Sequence, residues 1–126
     1  MKQLCPCGST LSYQNCCNQI HEDLSQAESA EQLMRARYSA FCLELIDFLY
    51  QTFHPQTRRF QKKAEIEIWA KENNWQELEL IKSTNSTVEF KAYYIDMQGE
   101  LHIHHEKSTF KQLNGVWYYY DGKMKA

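Results

Sequence analysis

The chain has 126 residues, 43% of them hydrophobic and 13% aromatic, with a formal net charge of −2. That length suits one domain whose core buries roughly two-thirds of the unfolded surface, and the low glycine and proline content argues against long disorder. The near-neutral charge excludes a global basic field for nucleic acid, and no apolar run approaches the ~18 residues of a membrane span.

The start, "MKQLCPCGS", lacks the apolar stretch of a secretion signal or lipoprotein anchor, so the expected compartment is the cytoplasm, where thiols stay reduced. Four of the five cysteines then fall between residues 5 and 17, in "LCPCGSTLSYQNCC". Adjacent cysteines such as Cys16 and Cys17 hardly bridge each other, because the short ring distorts the peptide. The C-x-x-C spacing of redox catalysts is absent. Two short-spaced pairs around a small loop instead suit a tetrahedral zinc site, with thiolates at about 2.3 Å from the ion. Gly8 can take a positive φ at the first knuckle, Pro6 stiffens it, and Ser9 is a plausible N-cap for a helical turn running to Cys17. Cys5, Cys7, Cys16 and Cys17 are therefore the expected metal ligands, with His21 as an alternative to Cys17. Four ligands close the site, so the single zinc is expected to be structural.

The pattern "CPCGSxxxYxxCC" resembles the SEC-C motif, the zinc module found at the carboxyl end of the SecA translocase ATPase. The resemblance covers the four ligand positions together with Gly8, Ser9 and Tyr13. Many such modules carry Gly-Lys-Lys between the knuckles, a basic patch suited to acidic partners; here Thr10, Leu11 and Ser12 occupy that place.

Residues 18 to 28 are polar and read as a connector, giving a division into a zinc module at 1–22 and a larger domain at 23–126. Ser29 with Gln32 forms a capping box, and apolar residues at helical spacing predict one long or two consecutive helices over 29–53. His54-Pro55 stops that run. A further helix is predicted over 57–72 with Phe60, Ala64, Ile68 and Trp69 on one side. After Asn73-Asn74 the period becomes two. Val88, Phe90, Ala92 and Tyr94 share one strand face, Gln98-Gly99 is a turn, and Asn114-Gly115 is the strongest hairpin signal. Leu101 and Ile103 have the opposite parity to Phe110, which predicts a bulge near 104–108. The fold class is α+β, helices followed by a mainly antiparallel meander.

"EQLMRARYSAF", "FLYQTFHPQTR", "HEKSTF" and "NGVWYYYDG" resemble, in order, the blocks of the YchJ family. The resemblance implies an amino-terminal SEC-C module joined to a cone-shaped, nuclear-transport-factor-like domain, whose curved sheet and helices enclose a cavity.

Arg37, His54, Glu106 and Ser108 lie in those blocks and are the candidate cavity residues: His54 as acid or base, Glu106 as its partner, Arg37 for an anion. The structural alternative pairs Arg37 with Glu106 and lets His54 cap a helix. His102 and His104 could approach one metal ion, but no third ligand can be placed, and hydrogen-bonded strand histidines are the better reading. Cys42 reads as a small buried hydrophobe, and "WYYY" as core and cavity packing. No catalytic set is complete. The sequence therefore predicts a binding or adaptor module, with a protein partner at the zinc module, a small molecule in the cavity, and a homodimer left open. A small-molecule enzyme is the alternative, and ribosome or nucleic-acid association through the zinc module is disfavoured.

Overall fold

The computed structural model describes residues 3–125. At the amino terminus Leu4 bridges Ser12, the Cys5 N–H donates to the Leu11 carbonyl at 2.9 Å, and Gly8 turns the chain at φ +84°. A residue without Cβ takes that angle at no steric cost. A 3₁₀ turn at Tyr13–Asn15 leads into α1 (Cys17–Glu22). Ser12, rather than Ser9, occupies the N-cap position of that turn, and the Ser9 hydroxyl instead lies 3.1 Å from the Cys16 sulfur. The expected connector is largely helical, since α1 runs through it and Leu24–Gln26 form a second 3₁₀ turn. Buried Ile20 and Ala27 supply the tertiary packing that overrides its polar composition.

Helix α2 (Ala30–Cys42) starts as predicted: the Gln32 N–H donates to Ser29 Oγ at 3.1 Å, while Gln32 Oε1 accepts from the Glu28 N–H. The helical run breaks where Glu44 adopts φ +57°, and α3 (Ile46–Gln51) follows. His54 then N-caps α4 (Pro55–Arg58), with the proline in the first turn, where its missing N–H is harmless.

In α5 (Lys63–Lys71) the buried residues are Ile66 and Ala70, with Trp69 half-buried. The predicted face is thus corrected: Phe60 and Ile68 are 69% and 55% exposed, and Ala64 is also exposed. Phe60 precedes the helix, so it could not set the helix's phase; the i, i+4 pair Ile66 and Ala70 does.

Strands β1 (Asn74–Ser83), β2 (Thr87–Ile95), β3 (Leu101–Leu113) and β4 (Val116–Met124) form an antiparallel meander in sequence order. Asn114 and Gly115 have φ of +53° and +80°, as a type I′ hairpin turn requires. The β2–β3 register runs without interruption from Thr87 opposite Thr109 to Ile95 opposite Leu101. Ser108, Glu106 and His104 therefore stand opposite the inward-facing Val88, Phe90 and Ala92. The bulge expected near 104–108 is absent: Leu101 and Ile103 are 63% and 53% exposed, on the outer face, and the inner face of β3 is polar. An irregularity does occur between Thr109 and Phe110, where the extra residue, Tyr120, belongs to β4. Shifts in the β1–β2 register add further local twist.

One core joins the thiol segment to the sheet through α2: Cys5, Cys7, Cys17 and Ile20 cluster with Leu33, Ala36 and Tyr38, and these with Val88, Phe90, Phe110 and Trp117. A second cluster holds Ala40, Leu49, Phe53 and Ile66. Residues 52–54 run beside β4, with the Tyr119 N–H donating to the Thr52 carbonyl and the His54 N–H to the Tyr119 carbonyl, each at 2.8 Å. No helix among the described residues is long and apolar enough to cross a membrane.

The corrected α5 face predicts that Ile66→Ala costs about 2–3 kcal/mol of stability in urea unfolding, the usual loss for a buried aliphatic side chain. Phe60→Ser should change it by no more than about 0.5 kcal/mol, as expected of an exposed position.

Candidate functional site

The sulfurs of Cys5, Cys7, Cys16 and Cys17 all lie within 4.8 Å of one another. Cys7 and Cys16 are 3.7 Å apart, Cys16 and Cys17 4.0 Å. Tetrahedral coordination with zinc–sulfur bonds of about 2.3 Å would set sulfurs about 3.8 Å apart, so the donor set fits such an ion. Cys5, Cys7 and Cys17 are buried, and Cys16 is half-buried. From α2, Arg35 donates to the Cys7 carbonyl at 3.0 Å and its Nη1 lies 4.0 Å from the Cys7 sulfur, a cation beside a site that binds metal as thiolates. Hydrogen bonding from Cys17 and Cys5 pulls the Cys7 thiol well below its ordinary pKa, while contacts with Cys5 and Cys7, and then burial, push Cys17 well above it. Metal binding at such a cluster requires the thiols to release their protons.

His21 is not part of this set. Its Nδ1 accepts from the Tyr13 hydroxyl at 2.6 Å and its Nε2 donates to the Ala36 carbonyl at 2.7 Å, so no lone pair remains for a metal. Burial lowers its pKa and favours the neutral ring. Cys42 stands apart, half-buried, its thiol pushed up to about 11 by burial.

A second feature is a cavity of about 160 Å³ between α2, α5 and the sheet. Tyr38, Phe41, Trp69, Trp75 and Phe90 make its walls, while Arg37, His104, Glu106 and Tyr119 bring polar atoms to it. Glu106 is the hub. Its Oε1 accepts from His104 Nε2 at 2.8 Å, and its Oε2 accepts from the Ser108 hydroxyl at 2.5 Å and the Tyr119 hydroxyl at 2.7 Å. Burial alone would push this carboxyl up; the hydrogen bonds from His104, Ser108 and Tyr119 outweigh it and hold the pKa below the ordinary carboxylate value. Gly122 leaves the room, since a methyl group there would overlap both the Glu106 carboxylate and the Tyr119 hydroxyl. Burial, and then the neighbouring carboxylate, raise the Tyr119 hydroxyl.

Arg37 is 6% exposed. Its Nη1 donates to Thr52 Oγ1 at 2.5 Å and to the Leu49 carbonyl at 3.4 Å, and its Nε is sealed in without a partner. The guanidinium carbon lies 4.2 Å from the Tyr119 ring centroid and 4.8 Å from that of Phe53, within cation–π range.

Of the predicted cavity residues, the structure brings Arg37 and Glu106 to the cavity and buries Ser108 behind Glu106. Arg37 and Glu106 do not pair directly; Tyr119 stands between them, its ring under the guanidinium and its hydroxyl on the carboxylate. His54 is elsewhere: its Nδ1 accepts from the Gln56 N–H at 3.1 Å, and its ring packs on Tyr118 and Tyr120. The acid–base pairing of His54 with Glu106 is therefore not assembled, and His54 caps α4 as the structural alternative has it. The two histidines weighed as metal ligands are divided, His102 to Asp96 at 2.6 Å and His104 to Glu106. Sequence reasoning did not assign His104 and Tyr119 to the Glu106 network; the even parity that His104 shares with Glu106, Ser108 and Phe110 was the available signal.

Comparison with known proteins finds matches for both the thiol segment and the larger domain. Residues 29–122 match the family model of the YchJ middle NTF2-like domain, and residues 1–19 that of the SEC-C motif. A UPF0225 protein of Vibrio parahaemolyticus is 36% identical over 97% of this chain and 75% of its own length. One from Haemophilus influenzae is 38% identical over 93% of this chain and 75% of its own. The solution structure of a SEC-C motif containing protein from Rhodopseudomonas palustris is 32% identical and superposes with a TM-score of 0.88 over 100% of both chains. A crystal structure of a SEC-C motif containing protein from Psychrobacter arcticus is 35% identical, with a TM-score of 0.78 over 98% of this chain and 84% of the other.

Because the folded pKa of Glu106 lies below its unfolded value, its ionised form stabilises the fold above the ordinary carboxylate pKa. That contribution is lost as pH falls through the depressed value. Tyr119→Phe removes one donor and should shrink it, so the stability gap between wild type and variant is expected to be widest near neutral pH and to narrow in acid. Urea unfolding across pH measures this, and a gap that does not vary with pH would contradict it.

Proposed function

The chain belongs to the YchJ family, with a SEC-C motif ahead of an NTF2-like domain, and from that premise we propose that it is a zinc-stabilised binding module. Cys5, Cys7, Cys16 and Cys17 hold one zinc ion, and the cavity of the larger domain receives a small molecule. The observation that carries the reading is the convergence of four thiols within 4.8 Å in a segment whose other buried side chains are few. The bound ion would cross-link that segment, at an apparent free energy on the order of 10 kcal/mol for such sites. Four protein ligands leave no open position for substrate, which supports a structural role. The reducing cytoplasm is the compartment in which such a site persists.

Two features support an adaptor role for the zinc module. Leu4 and Leu11 are 63% and 52% exposed on it, apolar side chains that a protein partner would cover. The absence of lysines between the knuckles leaves nucleic acid without an electrostatic anchor there. An acid–base reaction by His54 on Glu106 draws no support from the placement of His54 against Tyr118 and Tyr120.

Native mass spectrometry of protein purified without added metal should find one zinc per chain. Cys5→Ser and Cys16→Ser should each lose it, and chelation should lower the melting temperature by more than about 10 °C, since several kcal/mol are at stake. Metal-free protein in which Cys5, Cys7, Cys16 and Cys17 all titrate as free thiols would overturn the reading.

A further inference from the structure

Building on the reading of the cavity as a ligand site, we infer that it recognises a small, flat, uncharged aromatic molecule carrying one N–H or O–H donor, which it delivers to Nδ1 of His104. The argument starts from Glu106. An ionised carboxylate only accepts hydrogen bonds, and the hydrogen bonds from His104, Ser108 and Tyr119 keep Glu106 ionised. The hydrogen between His104 and Glu106 therefore sits on Nε2. In the neutral ring this leaves Nδ1 as a lone-pair acceptor, aimed by a partner that fixes both tautomer and orientation. Nδ1 has no hydrogen-bond partner among the described residues, is not sealed from solvent, and belongs to a ring that lines the cavity.

The walls specify the rest. Trp69 and Trp75 meet edge to face at 5.4 Å, and the rings of Trp69 and Phe90 each lie 6.0 Å from the His104 ring. Flat aromatic faces around one acceptor suit a flat ring with one donor. The volume, about 160 Å³, is close to the roughly 150 Å³ of apolar cavities that take up benzene.

An anion fits less well. The ionised Glu106 repels it, and Arg37 has Nη1 committed to Thr52 and Leu49 and Nε sealed, so it cannot present the two-pronged fork that clamps a carboxylate. A permanent cation would meet the Arg37 charge stacked on Tyr119.

Indole and indene share a shape, and only indole carries an N–H. In calorimetric titrations of the full chain, indole should bind about tenfold more tightly than indene, the worth of one hydrogen bond. His104→Phe keeps a flat ring and removes the acceptor, and should erase the preference. In wild-type protein, adding indole but not indene should move the His104 Nδ1 nitrogen resonance; this readout decides the matter should His104→Phe fail to fold. Equal binding of both probes, or a preference that survives His104→Phe, would overturn the donor assignment while leaving the cavity as an apolar ligand site. Preferential binding of benzoate would overturn it in favour of anion recognition at Arg37. Binding of none of the three would overturn both the inference and the ligand-site reading, with the zinc measurement standing independently.

Discussion

Burying an ionised carboxylate costs several kcal/mol unless its lone pairs are filled, and the interior around Glu106 is arranged by that constraint. Two of its donors come from β3 itself, at positions two residues before and two after, which a strand places on the same face. The third, Tyr119, comes from the neighbouring strand, and its ring carries the guanidinium of Arg37. The two buried charges are thus connected through an aromatic ring rather than by contact. Had they touched, Arg37 would have been drawn from Thr52 and Leu49, the contacts that tie α2 to the end of α3.

Helix α2 is the element on which both candidate sites depend. Two positions apart and so on nearly opposite sides of one turn, Arg35 reaches toward the thiol cluster and Arg37 toward the cavity, while Leu33 and Ala36 fill the space between knuckle and sheet. The Ala36 carbonyl, in the middle of α2, accepts from His21 Nε2 at 2.7 Å. His21 thereby becomes a tether between α1 and α2. A change in the thiol cluster reaches the sheet through α2, and also through the turn at Leu24–Gln26, which packs on both α1 and β4.

How much of this could be read in advance follows from the range of each interaction. The cysteines, the Ser29 cap and the Asn114-Gly115 turn are local, and local spacing reveals them. The inner face of β3 is different. Leu101 and Ile103 look like core residues by hydrophobicity, and only pairing with β2 shows that His104 and Glu106 hold the inward positions. A strand that lines a polar site inverts the usual pattern, so hydrophobic parity misleads where function sits. For His54 the helix cap is legible beside Pro55, but its ring neighbours Tyr118 and Tyr120 lie more than sixty positions along the chain, and nothing near His54 announces them.

The extra residue in β4 governs which side chain stands beside Glu106. Counted from Tyr119 opposite Phe110, an uninterrupted ladder would set Asp121 opposite Ser108, and a second carboxylate would be forced into the interior next to the first. With Tyr120 set aside from the ladder, Asp121 moves to the outer face and Gly122 takes the inner position. The strand therefore encodes the site by where its ladder breaks as much as by its composition. Drawing Tyr120 into the ladder would set Asp121 opposite Ser108 and bring like charges together, whereas deleting it would close a regular ladder with Asp121 still opposite Thr109 and Gly122 opposite Ser108, so what the site depends on is that Tyr120 stays out of the pairing.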